Sequence, residues 1–217
     1  MGFLDAILGR SRPVRPDLDR LFGLPGAAVT LEAGAGFTPT GAGSVCFSRV
    51  EGGAFARLEE EVRNLLDADT ATAGRGTEHG VNPAAGYGGG VPVEFSRDSY
   101  GYAWILARHP GDPDGISSLV NDLHAVNTML EEAEFGAHLL CSLVAFHQVS
   151  DGRQRGLALV YLYKRGTFYP FAPLPGAAER RDTALELQIR ALLSDDLPME
   201  SDPGRWFPLW GAPGLAG

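Results

Sequence analysis

Apolar positions along this chain follow two different periods. Residues 44–50, 91–96, 100–109, 139–148, 157–164 and 167–171 form short apolar or alternating runs of the kind strands need. Residues 27–31 read the same way, separated from 44–50 by a Gly/Pro turn region. Segments 54–66, 116–132 and 182–193 repeat at helical spacing instead. Their stripes are Phe55, Leu58, Val62, Leu65 and Leu66; then Ile116, Leu119, Val120, Leu123 and Leu130; then Leu185, Ile189, Leu192 and Leu193. Asp182 stands where the last helix needs an N-cap. Residues 157–164 are apolar on both faces, which predicts an interior strand.

The links between successive strands are short, as hairpins require, and strand pairs are followed by helices. This order predicts an α+β fold: an antiparallel sheet built from strand–strand–helix units, with helices packed on one face. A doubly wound parallel sheet would need a helix between most strands, and the spacing leaves no room for one.

Three regions follow from the same pattern. Residues 1–25 read as an N-terminal helical arm, with Phe3, Leu4, Ile7 and Leu8 on one face and Arg10, Arg12 and Arg15 behind them. Residues 26–195 read as a single domain, interrupted at 67–90 by a stretch of Gly, Ala and Thr. That stretch has too few large apolar groups to offset its ordering entropy, so it is expected to be a mobile loop. Residues 196–217 form a tail, first acidic (Glu200, Asp202) and then aromatic (Trp206, Phe207, Trp210).

Composition narrows the function. A chain of 217 residues with 44% hydrophobic content buries one real core. Its net charge of −9 argues against nucleic acid, which demands a basic face to displace counterions. No apolar run reaches the ~18 residues a membrane span needs, and Asp5 interrupts the opening apolar stretch; a cytoplasmic location is expected. Two cysteines, Cys46 and Cys141, sit in apolar strand-like runs and read as buried free thiols.

Catalytic and metal motifs are missing from the sequence, and no cofactor or metal site is expected. The glycines of "GYGGGVP" lead into a strand, whereas a phosphate cradle needs a helix N-terminus behind them. The best chemical candidate is "NDLHAVN". There Asn127 falls within the apolar stripe and His124 at its edge. They either tie the helix to its neighbours or line a pocket with Cys141, His147 or Asp122. In "EFSRDSYGYAW" the charges read as a locally bonded turn. Phe168, Tyr169 and Phe171, beside Pro170 and Pro173, are either core residues or a groove for a partner. Trp206, Phe207 and Trp210 either fold back on the domain or anchor a partner. The N-terminal arm suits a partner's groove or an anionic membrane surface.

Taken end to end, the chain resembles a known family. "MGFLDAILGR", "TGAGSVCFSRVEGGAF", "EFSRDSYGYAW", "DLHAVNTMLE", "LVYLYKRGTFYPFAPLPG" and "RWFPLWGAPGL" are similar to PspAB, the PspA-associated protein of bacterial phage-shock-type systems. The resemblance implies a cytoplasmic, non-enzymatic accessory of the envelope stress response that associates with the coiled-coil protein PspA. It carries over no catalytic residue. Two other readings stay open: an enzyme of unrecognised type using the His/Cys pocket, and a homodimeric chaperone-like scaffold.

Overall fold

The computed structural model describes residues 16–48, 94–109, 114–150, 152–176 and 179–215, with isolated positions 57, 60 and 111. Among the described residues six strands form one sheet: β1 (Thr38–Phe47), β2 (Glu94–Arg97), β3 (Ala103–Arg108), β4 (Leu139–Ser150), β5 (Arg153–Leu162) and β6 (Thr167–Phe171). Their order is β2-β3-β1-β4-β5-β6, and every neighbouring pair is antiparallel. Three α-helices whose bounds fall among the described residues accompany them: α1 (Leu24–Ala35), α2 (Gly115–Glu132) and α3 (Thr183–Leu192). The α+β class and the antiparallel sheet are as the patterning predicts.

Residues 27–31 are a correction. They lie inside α1, entered through a 3-10 turn at Leu18–Gly23. The buried positions Leu24, Ala27, Ala28 and Leu31 recur at helical spacing, while Val29 is 69% exposed. β-branched residues on a solvent face do not decide the local structure; packing of the opposite face does. Pro25 sits in the first turn, where its missing N–H has no partner to lose. Gly36 ends the helix in the left-handed region at φ 69°, its N–H bonded to the Glu32 carbonyl. Arg57 and Glu60, within the segment read as a helix at 54–66, are helical. The rest of that segment, the loop expected at 67–90 and the arm residues Phe3, Leu4, Ile7 and Leu8 lie outside the described residues.

Helices α1, α2 and α3 pack on one face of the sheet. Leu119, Leu123 and Leu130 of α2, Leu31 of α1 and Ile189 of α3 close over Val45, Ile105, Val144, Leu159 and Phe168. Contact is tightest at Gly43 of β1. A Cβ there would lie 2.8 Å from the Leu143 carbonyl oxygen and 3.1 Å from Leu123 Cδ1, so only glycine lets the strand pass beneath α2. Leu18, Leu21 and Leu24 belong to this core, so the described part of the 1–25 region is built into the domain. The Tyr161 hydroxyl crosses the core to donate to the Asp17 carbonyl at 2.8 Å; burial pushes its pKa up to about 12 and keeps it a donor.

The opposite face is covered as well, by a strap at residues 198–215 with no α-helix or strand of its own. Trp206 and Ala212 are buried there against Trp104, Leu143, Val160, Tyr169 and Phe171, with Leu209, Trp210 and Leu215 packed on top. β5 is therefore interior, flanked by β4 and β6 and buried on both faces, as its two-sided apolar run predicts. β3 shares this two-sided burial. Ala103, Ile105 and Ala107 face the helices, while Trp104 and Leu106 are buried and Tyr102, ahead of the strand, is exposed.

Candidate functional site

The strap is the least regular part of the described chain, and polar side chains hold it. Its first residues run along the outer edge of β6. The Phe168 N–H donates to the Pro198 carbonyl at 2.9 Å and the Glu200 N–H to the Phe168 carbonyl at 2.7 Å, which occupies the edge of β6 there. Glu200, read from sequence as part of an acidic tail, is buried. Its carboxylate accepts from Arg165 at 2.5 Å, Thr167 at 3.1 Å and the Asp202 N–H at 3.1 Å. Burial alone would raise this carboxyl; the bonds from the Asp202 N–H, Arg165 and Thr167 outweigh it and hold the pKa below the ordinary value.

A second anchor comes from the start of α3. Asp182 caps the helix by accepting from the Leu185 N–H at 3.0 Å, as the sequence predicts. One residue earlier, Arg181 meets the buried Glu186 at 2.9 Å and donates to the Trp206 carbonyl at 2.6 Å. Glu186 also accepts from the Ala172 N–H at 2.9 Å, which ties β6, α3 and the strap into one network. The Trp206 indole stacks on Tyr169 at 6.2 Å, has Arg190 over its ring at 5.8 Å and donates to the Glu200 carbonyl at 3.2 Å. The Tyr169 hydroxyl donates to the Phe207 carbonyl at 2.9 Å, and Phe171 meets Trp210 edge-on at 5.0 Å.

This arrangement answers the alternatives left open by the sequence. Phe168, Tyr169, Phe171 and Trp206 are interior side chains. As a correction, they present no groove or contact surface in this fold; Trp206 is only 4% exposed. Trp210 is partly buried against the same face, while Phe207 remains 59% exposed. Trp206, just past a single 3-10 turn, serves here as core, because side-chain donors satisfy carbonyls of the strap that a longer helix would have bonded internally.

The candidate pocket of His124, Asn127, Cys141 and His147 does not assemble; this too is a correction. On α2, the His124 ring packs at a tilt against Phe22, centroids 4.8 Å apart, and meets the exposed Asp19 at 3.3 Å. Asn127 is buried and donates to the Leu123 carbonyl at 2.6 Å and the Ser142 hydroxyl at 2.8 Å, which fastens α2 to β4. Cys141 follows Ser142's neighbour rule: adjacent strand residues face opposite ways, so it lies on the strap side, away from Asn127. His147 is six positions further along β4, about 20 Å. Asp122, the remaining possible partner, is bonded to His109 at 2.6 Å. Among the described residues, no three His, Cys, Asp or Glu side chains are grouped to hold a metal.

The turn in "EFSRDSYGYAW" is locally bonded, as read. Asp98 accepts from the Tyr100 and Tyr102 N–H groups and from the Trp104 indole, each at 2.9 Å. Sequence reasoning missed Arg181, Glu186 and Glu200. A faint signal existed for Glu186, which stands three residues before Ile189 and so shares its buried face. Cys46 was left out of the candidate pocket, yet it is the cross-strand partner of Cys141, Cα facing Cα between β1 and β4.

No described helix is long and apolar enough to cross a membrane. No curated protein and no solved structure matches the chain. One family model, PspA associated protein B, matches residues 1–214, a span that takes in the sheet, the helices and the strap alike. The chain belongs to the PspAB family.

Proposed function

We propose that this protein is a non-catalytic accessory that binds a PspA-type coiled-coil protein on the cytoplasmic side of the envelope, within the envelope stress response. The family match along nearly the whole chain carries this reading, since the family's name is association with PspA. The arrangement of the described polar interior supports it. Asn127, Ser142, Glu186 and Glu200 are each bonded between elements, where they hold architecture together. With Phe168, Tyr169, Phe171 and Trp206 consumed by the core, the contact falls to the amphipathic arm with Phe3, Leu4, Ile7 and Leu8, and to the exposed Phe207.

Purified full-length protein should retain a PspA-family coiled-coil protein on an affinity column. Deleting residues 1–12 or replacing Phe207→Ala should leave the circular dichroism and melting curve intact and reduce retention. Full retention by the double variant would remove the assigned surface, and absence of retention by the unaltered chain would remove direct binding altogether.

A further inference from the structure

The sequence alone shows Cys46 and Cys141 as two buried free thiols; the register makes them a pair. They stand directly opposite each other on the neighbouring antiparallel strands β1 and β4. Opposed residues in such a pair have Cα atoms ~4.5 to 5.5 Å apart, and a disulfide accepts ~4.4 to 6.8 Å. Both side chains point to the strap side of the sheet, in one cluster with Trp104, Tyr169 and Trp206. Immediately beyond them the register slips between Cys46 and Phe47, so the pairing is irregular just where a small shift is needed. Both thiols are free, at 3% and 6% exposure.

We propose that Cys46 and Cys141 are a redox modification site, which hydrogen peroxide closes into a cross-strand disulfide and which the C-terminal strap shields. This holds or fails independently of PspA binding. The chemistry balances within the pair and the oxidant. One sulfur, as thiolate, attacks a peroxide oxygen; the O–O bond breaks, giving a sulfenic acid and one water. The second sulfur attacks the sulfenic sulfur; the S–O bond breaks, the S–S bond forms and a second water leaves. Two electrons pass from the sulfurs to the peroxide, and the thiol protons depart in the water.

The strap determines the rate. The side-chain hydrogen bond between Cys46 and Cys141, together with burial beneath the strap, keeps the Cys46 thiol protonated, with its pKa raised above the ordinary value, and a protonated thiol is a poor nucleophile. Lifting residues 206–215 admits both water and peroxide. The anchors at Arg181, Glu200 and Tyr169 therefore govern how often the pair is reactive.

Reduced full-length protein is treated with hydrogen peroxide without denaturant and read by intact mass, thiol titration and peptide mapping. Expected are the loss of two hydrogens, no free thiol, a linked peptide joining Cys46 to Cys141, a monomeric product and full reversal by dithiothreitol. The Trp206→Ala variant should close about tenfold faster, because local opening limits access. Should that variant fold poorly, Tyr169→Phe, which loses only the hydroxyl's hold on the Phe207 carbonyl, should give a smaller acceleration in the same direction. Persistence of both thiols in all three proteins overturns the proposal, as do oxidation at one sulfur without a link and linkage between molecules. An unchanged rate in both strap variants overturns the shielding.

Discussion

The two faces of the sheet are covered by different materials. Over the first lie α1, α2 and α3, whose backbone groups bond within each helix, so the layer needs only apolar side chains to adhere. Over the second lies a strap whose own backbone bonds are confined to a 3-10 turn and short turns, and the carbonyls of Glu200, Trp206 and Phe207 are taken one by one by the Trp206 indole, Arg181 and Tyr169. The helical layer is held by distributed burial, the strap by a few points. Loss of one point should therefore loosen the strap locally, while loss of one core leucine should weaken the whole domain.

The largest effect is expected from Leu119→Ala on the helical side. It removes a fully buried side chain and should cost about 3 kcal/mol, with every spectroscopic probe shifting together in urea. Next comes Arg181→Ala, which leaves Glu186 buried without its cation and the Trp206 carbonyl without a donor; about 2 to 3 kcal/mol is expected. Here the signature is different: amide exchange should accelerate through residues 203–215 well before the sheet responds. If Arg181→Ala instead melts both faces in one step, as Leu119→Ala does, the distinction between the two covers breaks.

Glu200→Gln sharpens the comparison through pH. The Glu200 carboxyl has a lower pKa folded than unfolded, so its contribution is present above the unfolded value of about 4.3 and fades as pH falls through the folded value. The variant should be less stable by about 1 to 2 kcal/mol at neutral pH. The gap to the unaltered protein should narrow in acid; a gap constant from pH 7 to pH 3 would contradict the assignment. Tyr169→Phe is the mildest change. It loses one hydrogen bond while keeping the ring stacked on Trp206, about 1 kcal/mol, detectable as faster exchange near Phe207.

How legible each part was follows from the range of the forces that set it. Helix α2 was read with bounds within a residue, because a stripe from Ile116 to Leu130 repeats over several turns and Asn127 belongs to it. The N-cap at Asp182 was equally plain, since capping is local. Helix α1 was misread because the middle of its stripe, between Leu24 and Leu31, is Ala27 and Ala28, small residues with little hydrophobic signal, while Val29 on the exposed side carries the stronger strand propensity. The candidate pocket failed for another reason. His124, Cys141 and His147 were chosen by type, and type says nothing about which face of a strand a side chain takes or what stands across from it.

Periodicity, turn chemistry and the spacing of strands thus settled the class of the fold and most of its elements, because each depends on neighbours a few residues apart. The sequence also carried its family resemblance along its whole length. Strand order, the return of the tail across the second face and the meeting of Cys46 with Cys141 belong to the tertiary structure alone. These join residues some 40 to 100 positions apart in sequence, and no local preference encodes such a pairing. What decides it is the requirement that a sheet apolar on both sides be covered on both sides.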